Sequence, residues 1–291
     1  MKIIYCILAH KNTAILRTFI EIMSRENEIY LHIDKKSKMK NFKEYENKVN
    51  ILKKRVNVKW GSFSQIKATL LMLEEIKNEE YDYVSLVSGD CLPIMSSKRI
   101  NKRLEKDYGK EFIGYQKNFS KDELICRVKY NYLPSHYNKY KNSYNNKVIL
   151  IHSKLRKYFY NKNYELLPTL YKGNQWFTLS KDCINFVLQY LKENKYYKKA
   201  FKNSLCSDEI FFQTIIMNSK FKNNIYKYDI SPNGNYMSLR YIDWQSGPEY
   251  PKLLDESDFS KIKDFDCILA RKFNENLDLN KYRKFFEIYE E

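Results

Sequence analysis

The sequence predicts an α/β protein with a mostly parallel central sheet flanked by helices. Two patterns predict it. Apolar runs of strand length alternate with amphipathic helical stretches through the first 115 residues. Polar residues able to do chemistry also cluster just past the ends of those runs, at the carboxyl edge where sheets of this kind hold ligands.

Taken in order, Lys2–Leu8 is a short apolar run bounded by polar residues and reads as the first strand. Asn12 is placed to cap a helix over Thr13–Arg25, with Ile15, Phe19 and Ile22 on one face. Ile29–Ile33 reads as a second strand and Val56–Trp60 as a third. Ser62-x-x-Gln65 has the capping-box pattern and opens a helix striped by Ile66, Leu70, Leu73 and Ile76. Tyr83–Val87 is another apolar run, ended by Ser88-Gly89-Asp90, and a helix over Lys98–Asp107 and a strand at Phe112–Tyr115 follow. Residues 118–172 are different. They are rich in Tyr, Asn and Lys and weakly periodic, and they read as an irregular or helical insert. Regularity returns with a strand at Gln175–Leu179 and a helix over Lys181–Glu193 whose face is Ile184, Val187, Leu188 and Leu191. Ser207 is placed to cap a helix over Asp208–Met217 that buries Ile210, Phe211, Ile215 and Ile216. Ile225–Tyr228, Ser238–Tyr241 and Ile268–Ala270 are candidate strands, and Lys281–Tyr289 a closing helix. With no internal repeat and no linker, residues 1–291 are expected to form a single domain.

Composition narrows the function. At 43% hydrophobic and 16% aromatic residues the chain is too apolar to be disordered. Its 52 Lys and Arg against 35 Asp and Glu give a net charge of +17, which favours nucleic acid, an acidic membrane face or a phosphorylated substrate. The competing explanation is compositional: Lys, Asn, Tyr and Ile are abundant throughout, as in a gene from an AT-rich genome. The cysteines at 6, 91, 126, 183, 206 and 267 form no Cys-x-x-Cys pair, and the histidines at 10, 32, 136 and 152 add no zinc spacing. Reduced thiols in a cytoplasmic setting are expected, without a structural metal. Met1-Lys2 followed by Ile3 to Ala9 faintly imitates a signal peptide but lacks a small-residue cleavage site, so a buried strand is the better reading. No run approaches the ~20 apolar residues of a membrane span. No amphipathic anchor stands out either, so contact with the inner face of an anionic membrane is expected to be weak and reversible.

There is no Gly-x-Gly-x-x-Gly, no phosphate-binding Gly-x-x-x-x-Gly-Lys-Ser/Thr and no Gly-x-Ser-x-Gly. Any phosphate must therefore be held by Lys, Arg or a helix N-terminus. His10, Asp34, Trp60–Ser62 and Ser88–Asp90 all fall at the expected ligand edge. Asp34, in His32-Ile33-Asp34-Lys35-Lys36-Ser37, is placed to accept hydrogen bonds from uracil or ribose, and is equally a common turn residue. Asp208-Glu209 follows Ser207 at a helix start, where an acid complements the helix dipole or serves as a general base. Arg271-Lys272 closes a strand and is either a diphosphate site or solvated surface. Asp264-Phe265-Asp266 fits the metal-binding Asp-x-Asp letters, but sits in a late loop.

The order of these segments carries more than any one of them. Cys6-Ile7-Leu8-Ala9-His10-Lys11, His32 to Ser37, Trp60-Gly61-Ser62-Phe63-Ser64 and Ser88-Gly89-Asp90-Cys91-Leu92-Pro93-Ile94 come first. Gly173-Asn174-Gln175-Trp176-Phe177, Ser207-Asp208-Glu209, Arg240-Tyr241-Ile242-Asp243-Trp244 and Ala270-Arg271-Lys272-Phe273 follow. This succession resembles the core-2/I-branching N-acetylglucosaminyltransferase family over roughly residues 3 to 273. The resemblance implies a GT-A-like fold, a UDP-sugar donor, a glycan acceptor, inversion at the anomeric carbon and no metal cofactor. It implies that Glu209 is the catalytic base and that Asp34, with His10 and Ser62, binds the nucleotide. Lys272 would stand in for the metal at the diphosphate, helped by Arg271 or Lys252. Asp90, Trp176, Arg240 and Tyr241 are the substrate-binding candidates, Trp176 and Tyr241 being equally ordinary core aromatics. The long membrane anchor and disulfides of the animal enzymes are missing, as in a bacterial relative making surface polysaccharide or lipooligosaccharide. The family includes peptide xylosyltransferases, so it does not fix the sugar. The rival readings are a basic nucleic-acid-binding protein and a sugar-binding protein without catalysis.

Overall fold

A run such as Ile3–Ala9 (β1), with no charge on either face, is stable only where both faces are covered, and it lies at the centre of the molecule. The computed structural model describes residues 1–137, 142–228 and 234–288. The other strands are Glu28–Ile33 (β2), Asn50–Ile51 (β3), Tyr83–Ser88 (β4), Leu92–Pro93 (β5), Phe112–Ile113 (β6), Phe177–Ser180 (β7), Arg240–Ile242 (β8) and Leu269–Arg271 (β9). Six form one sheet in the order β3-β2-β1-β4-β7-β6. The first four strands in that order run parallel, and β7 and β6 are antiparallel additions at one side. A small sheet, β5-β9-β8, continues beyond the end of β4.

Side chains alternate across β1 and so divide the core. Ile3, Tyr5 and Ile7 join a cluster with Ile15, Phe19 and Tyr282, under the helices Ala14–Met23 and Leu279–Phe285. Ile4 and Cys6 face a second cluster with Ile66, Ile184 and Phe211, under the helices Ser64–Glu75, Lys181–Glu193 and Phe211–Met217. The mostly parallel α/β sheet is as expected, and the helix over Lys181–Glu193 matches its expected bounds.

Several local expectations are corrected. Val56–Trp60 is not a strand: Val56 N–H donates to His32 Nε2 at 2.9 Å, so this segment crosses the end of β2 and the pairing falls to β3. Thr13, not Asn12, caps the first helix, accepting from Leu16 N. The capping box at Ser62 does not form, because Gln65 Oε1 accepts from Gly61 N instead. Ser207 opens a 3-10 turn, Ser207–Glu209, and the α-helix begins only at Phe211. Ile225–Tyr228 contributes a single bridge, from Ile225 to Glu111.

Among its described residues the 118–172 stretch holds the helices Lys121–Lys129 and Ser143–Lys154 and the 3-10 turns Pro134–Tyr137, Arg156–Phe159 and Tyr164–Leu166. Among the described residues no helix is long and apolar enough to cross a membrane.

Candidate active site

Parallel strands deliver their C-terminal residues to one edge. His10 follows β1, Asp34 follows β2 and Gly89-Asp90 follow β4, and these three strands are neighbours. Backbone bonds tie the exits together: Asp34 N to Ala9 O at 2.8 Å and Gly89 N to Leu8 O at 3.0 Å. Ser37 Oγ closes the loop by donating to His10 O at 2.6 Å. The Asp34 carboxylate is buried, with Oδ1 accepting from Lys36 N at 2.9 Å and Oδ2 facing Lys36 Nζ at 3.5 Å. Asp34 is thus an Asx-turn residue whose carboxylate also lies on the ligand edge. A cavity of about 490 Å³ opens beside it, lined by His10, Lys11, Asn12, Ser37, Lys38 and Glu275 among others. None of Asp34, Glu209 and Lys272 lines that cavity.

The second cluster grows from β9. Arg271 Nη2 lies 3.2 and 3.3 Å from the two Asp90 oxygens, its Nε donates to Ser88 Oγ at 3.1 Å, and its guanidinium stacks 4.6 Å over the Trp176 ring. Burial pushes the Asp90 carboxyl up, but Arg271, the Ser88 hydroxyl and Lys272 together outweigh it and hold the group below its ordinary value. Asp90, Trp176, Arg271 and Lys272 therefore meet at the strand ends.

Glu209 is held at the same edge from the other side. Gly173 N donates to Glu209 O at 2.8 Å, and only two residues separate Gly173 from Trp176, a reach of at most about 10 Å over three steps of the chain. Gly173 is required by close approach: a Cβ there would fall 1.7 Å from Gly114 O. On the Glu209 side chain, Oε2 accepts from Arg127 Nη1 at 2.9 Å and faces Lys172 Nζ at 3.9 Å. The preceding turn is anchored by Cys206 N to Gly61 O at 2.7 Å, with Cys206 in the left-handed region at φ 47°. The Trp60–Ser62 turn and the Ser207–Glu209 turn are thus one assembly.

Not every candidate reaches this edge. Arg240 is fully buried between the two sheets, bonded to Ser85 Oγ, Thr178 Oγ1 and two backbone carbonyls, so the substrate-contact role expected for it is corrected to an interior one. Burial without a carboxylate partner pulls it down to about 10. Lys252 Nζ bonds Asp258 at 2.6 Å, although, two residues on, Leu254 N donates to Lys272 O at 2.8 Å and keeps this segment beside the end of β9. The Ser62 hydroxyl is spent on Lys59 O, Ser64 N and Ser64 Oγ. Tyr241 packs edge-on against Phe265. Asp266 is bonded to Lys227 at 2.6 Å and to Arg103, which makes this Asp-x-Asp residue an ion-pair hub.

Other residues were missed. Arg127 and Lys172, the partners of Glu209, lie in or beside the aperiodic stretch, where no spacing points to them. Asp208 is buried with Oδ1 unpaired among the described residues and Oδ2 taking only Gln65 Nε2 at 3.4 Å. Burial first, and then the Glu209 charge, push it up to about 7. Trp60, 49% exposed beside Gly61, offers a flat face next to the Glu209 turn.

Comparison with known proteins agrees with this organisation of motifs. The family described as Core-2/I-Branching enzyme matches residues 3–268. No curated protein matches the chain. Among solved structures it is similar to mouse xyloside xylosyltransferase 1 in its apo form, at 9% identity over 74% of this chain and 81% of that one, with a TM-score of 0.32. It is also similar to mannose-1-phosphate geranyltransferase from Thermus thermophilus, at 10% identity over 66% of this chain and 54% of that one, with a TM-score of 0.29.

Proposed function

The chain belongs to the core-2/I-branching enzyme family and is a glycosyltransferase, and on that premise we propose that it moves a sugar from a UDP-sugar to a glycan hydroxyl, with inversion and without a metal. The observation that supports the reading best is the placement of Glu209: its backbone is pinned to Gly173, three residues before the Trp176 that stacks on Arg271.

Inversion is a single displacement. The acceptor hydroxyl loses its proton as its oxygen attacks the anomeric carbon, and UDP leaves from the opposite face. In this reading Glu209 takes the proton through Oε1, since Arg127 and Lys172 both address Oε2. General-base catalysis of this kind contributes roughly 10²–10⁴-fold in rate. Asp34 accepts from the uridine, and Lys272 stabilises charge developing on the diphosphate. Arg271, tied to Asp90 and Trp176, fixes the strand end that carries Lys272. The donor we favour is UDP-N-acetylglucosamine, with xylosyl or glucosyl transfer as the alternatives, and the acceptor a bacterial surface glycan.

Calorimetric titration with UDP, with and without EDTA, tests the metal-free reading. Equal affinity in both is the expected result. Binding that needs manganese would overturn it and return attention to Asp264 and Asp266.

A further inference from the structure

The helix Ser143–Lys154 buries only His152. Leu150 and Ile151, each 57% exposed, and Leu155, Tyr144 and Tyr158 stand in solvent around it. Of the large hydrophobics exposed among the described residues, half lie between Tyr144 and Leu166. Tyr144, Lys147, Ile151, Lys154 and Leu155 follow one another at spacings of one to four along the helix, so apolar and basic side chains share one side.

The charge around this face is predominantly positive. From Leu124 to Tyr164 the sequence contains no Asp or Glu and nine Lys or Arg, with Glu123, paired to Arg127, and Glu165, bonded by Tyr160, at the two ends of that stretch. Arg127 is engaged by Glu209 and Arg156 lies over the Tyr130 ring at 4.8 Å, while Lys147, Lys154 and Lys157 are exposed. Leucine and isoleucine flanked by lysines, with tyrosines at the margin, is the composition that enters the headgroup layer of a bilayer. A second copy of the chain would bring the same positive charge against itself, so this face does not fit self-association.

We propose that the helix Ser143–Lys154 and the following turn Arg156–Phe159 dock the protein on an anionic lipid bilayer, the apolar side chains entering the headgroup layer and the lysines meeting lipid phosphates. The helix is not amphipathic by periodicity, as the sequence suggests, and what fits it to a bilayer is instead the apolar side chains that the fold leaves exposed beside lysines. The segment is joined to the site, since Asn131 N donates to Phe159 O, Asn161 N to Lys129 O, and Arg127 reaches Glu209. If the proposed transfer holds, docking presents Glu209 to acceptors carried at the membrane surface.

Co-sedimentation with phosphatidylcholine vesicles, with and without phosphatidylglycerol, tests the docking independently of any sugar donor. The wild-type chain should bind the anionic vesicles, leave the neutral ones, and come off as salt rises. The combined variant Leu150→Ser, Ile151→Ser, Leu155→Ser should lose at least about tenfold in partitioning. Lys147→Gln, Lys154→Gln and Lys157→Gln should lose roughly fivefold per charge. Unchanged melting temperatures would show that the surface, not the fold, was altered. Equal binding by the wild-type chain and the apolar variant would overturn the proposal. So would a wild-type dimer that the apolar variant dissociates, since a second copy would then cover the face.

Discussion

Two helices of nearly equal length make opposite use of the same kinds of residue. Lys181–Glu193 turns Cys183, Ile184, Val187 and Leu191 into the core against β4 and β7. Ser143–Lys154 has Val148, Ile149, Leu150 and Ile151 in succession, yet buries only His152. Hydrophobicity alone does not say where a helix goes. Spacing does: in Lys181–Glu193 the three- and four-residue steps are all apolar and give one side to the core, whereas in Ser143–Lys154 the same steps mix Tyr144 and Ile151 with Lys147 and Lys154.

The comparison breaks most visibly if the same substitution has the same effect in both helices. Ile184→Ala, at a fully buried site, should cost about 2–5 kcal/mol in urea unfolding. Ile151→Ala, at a largely exposed one, should stay within about 0.5 kcal/mol. Equal losses would mean that Ile151 has a protein partner, and the docking face would be withdrawn.

Asp208 sharpens the contrast with an effect that depends on pH. Its carboxyl is raised from 3.8 in the unfolded chain to about 7 in the folded one, so the native state keeps a proton that the unfolded state has lost. Stability therefore falls as pH rises from about 4 to about 7 and the penalty is complete above that. Arg127, which faces the pair, opposes the shift, and Glu209 drives it. Asp208→Asn removes the titration, so its stability relative to wild type should grow by up to about 4 kcal/mol between pH 4 and pH 8. A difference that stays flat with pH would show that Asp208 ionises normally.

The smallest effect is expected at a cap on the exposed helix. Asn142 accepts from Asn145 N at 2.8 Å and starts Ser143–Lys154. Asn142→Ala should cost about 1 kcal/mol locally. It should appear as faster amide exchange in that helix, with the global melting temperature unchanged. A drop in the global melting temperature would place this helix within the cooperative core.

What the sequence made legible follows the same division. The strands β1, β2 and β4 and the helix over Lys181–Glu193 came out near their observed bounds because burial imposes a period. The residues that end those strands, His10, Asp34 and Asp90, could be placed at one edge for the same reason. Arg271 and Asp90 are 181 residues apart, and only a folded sheet shows that they pair. Arg127 could not be read as the partner of Glu209, since its surroundings carry no period. Arg240 was misread because a motif gives order along the chain, not which side of a strand faces inward. Val56–Trp60 was misread because an extended segment pairs with a side chain, His32, and not with a neighbouring strand.

In the proposed transfer the turn at Ser207–Glu209 carries a general base, not merely an acid beside two cations. Glu209→Gln keeps the size of the side chain and an acceptor for Arg127 while removing the basic oxygen. Melting temperature should be unchanged, UDP affinity close to wild type, and transfer lowered by at least ~10²-fold on the same preparation. Near-wild-type turnover in that variant would contradict it and leave Glu209 as a partner of Arg127 alone.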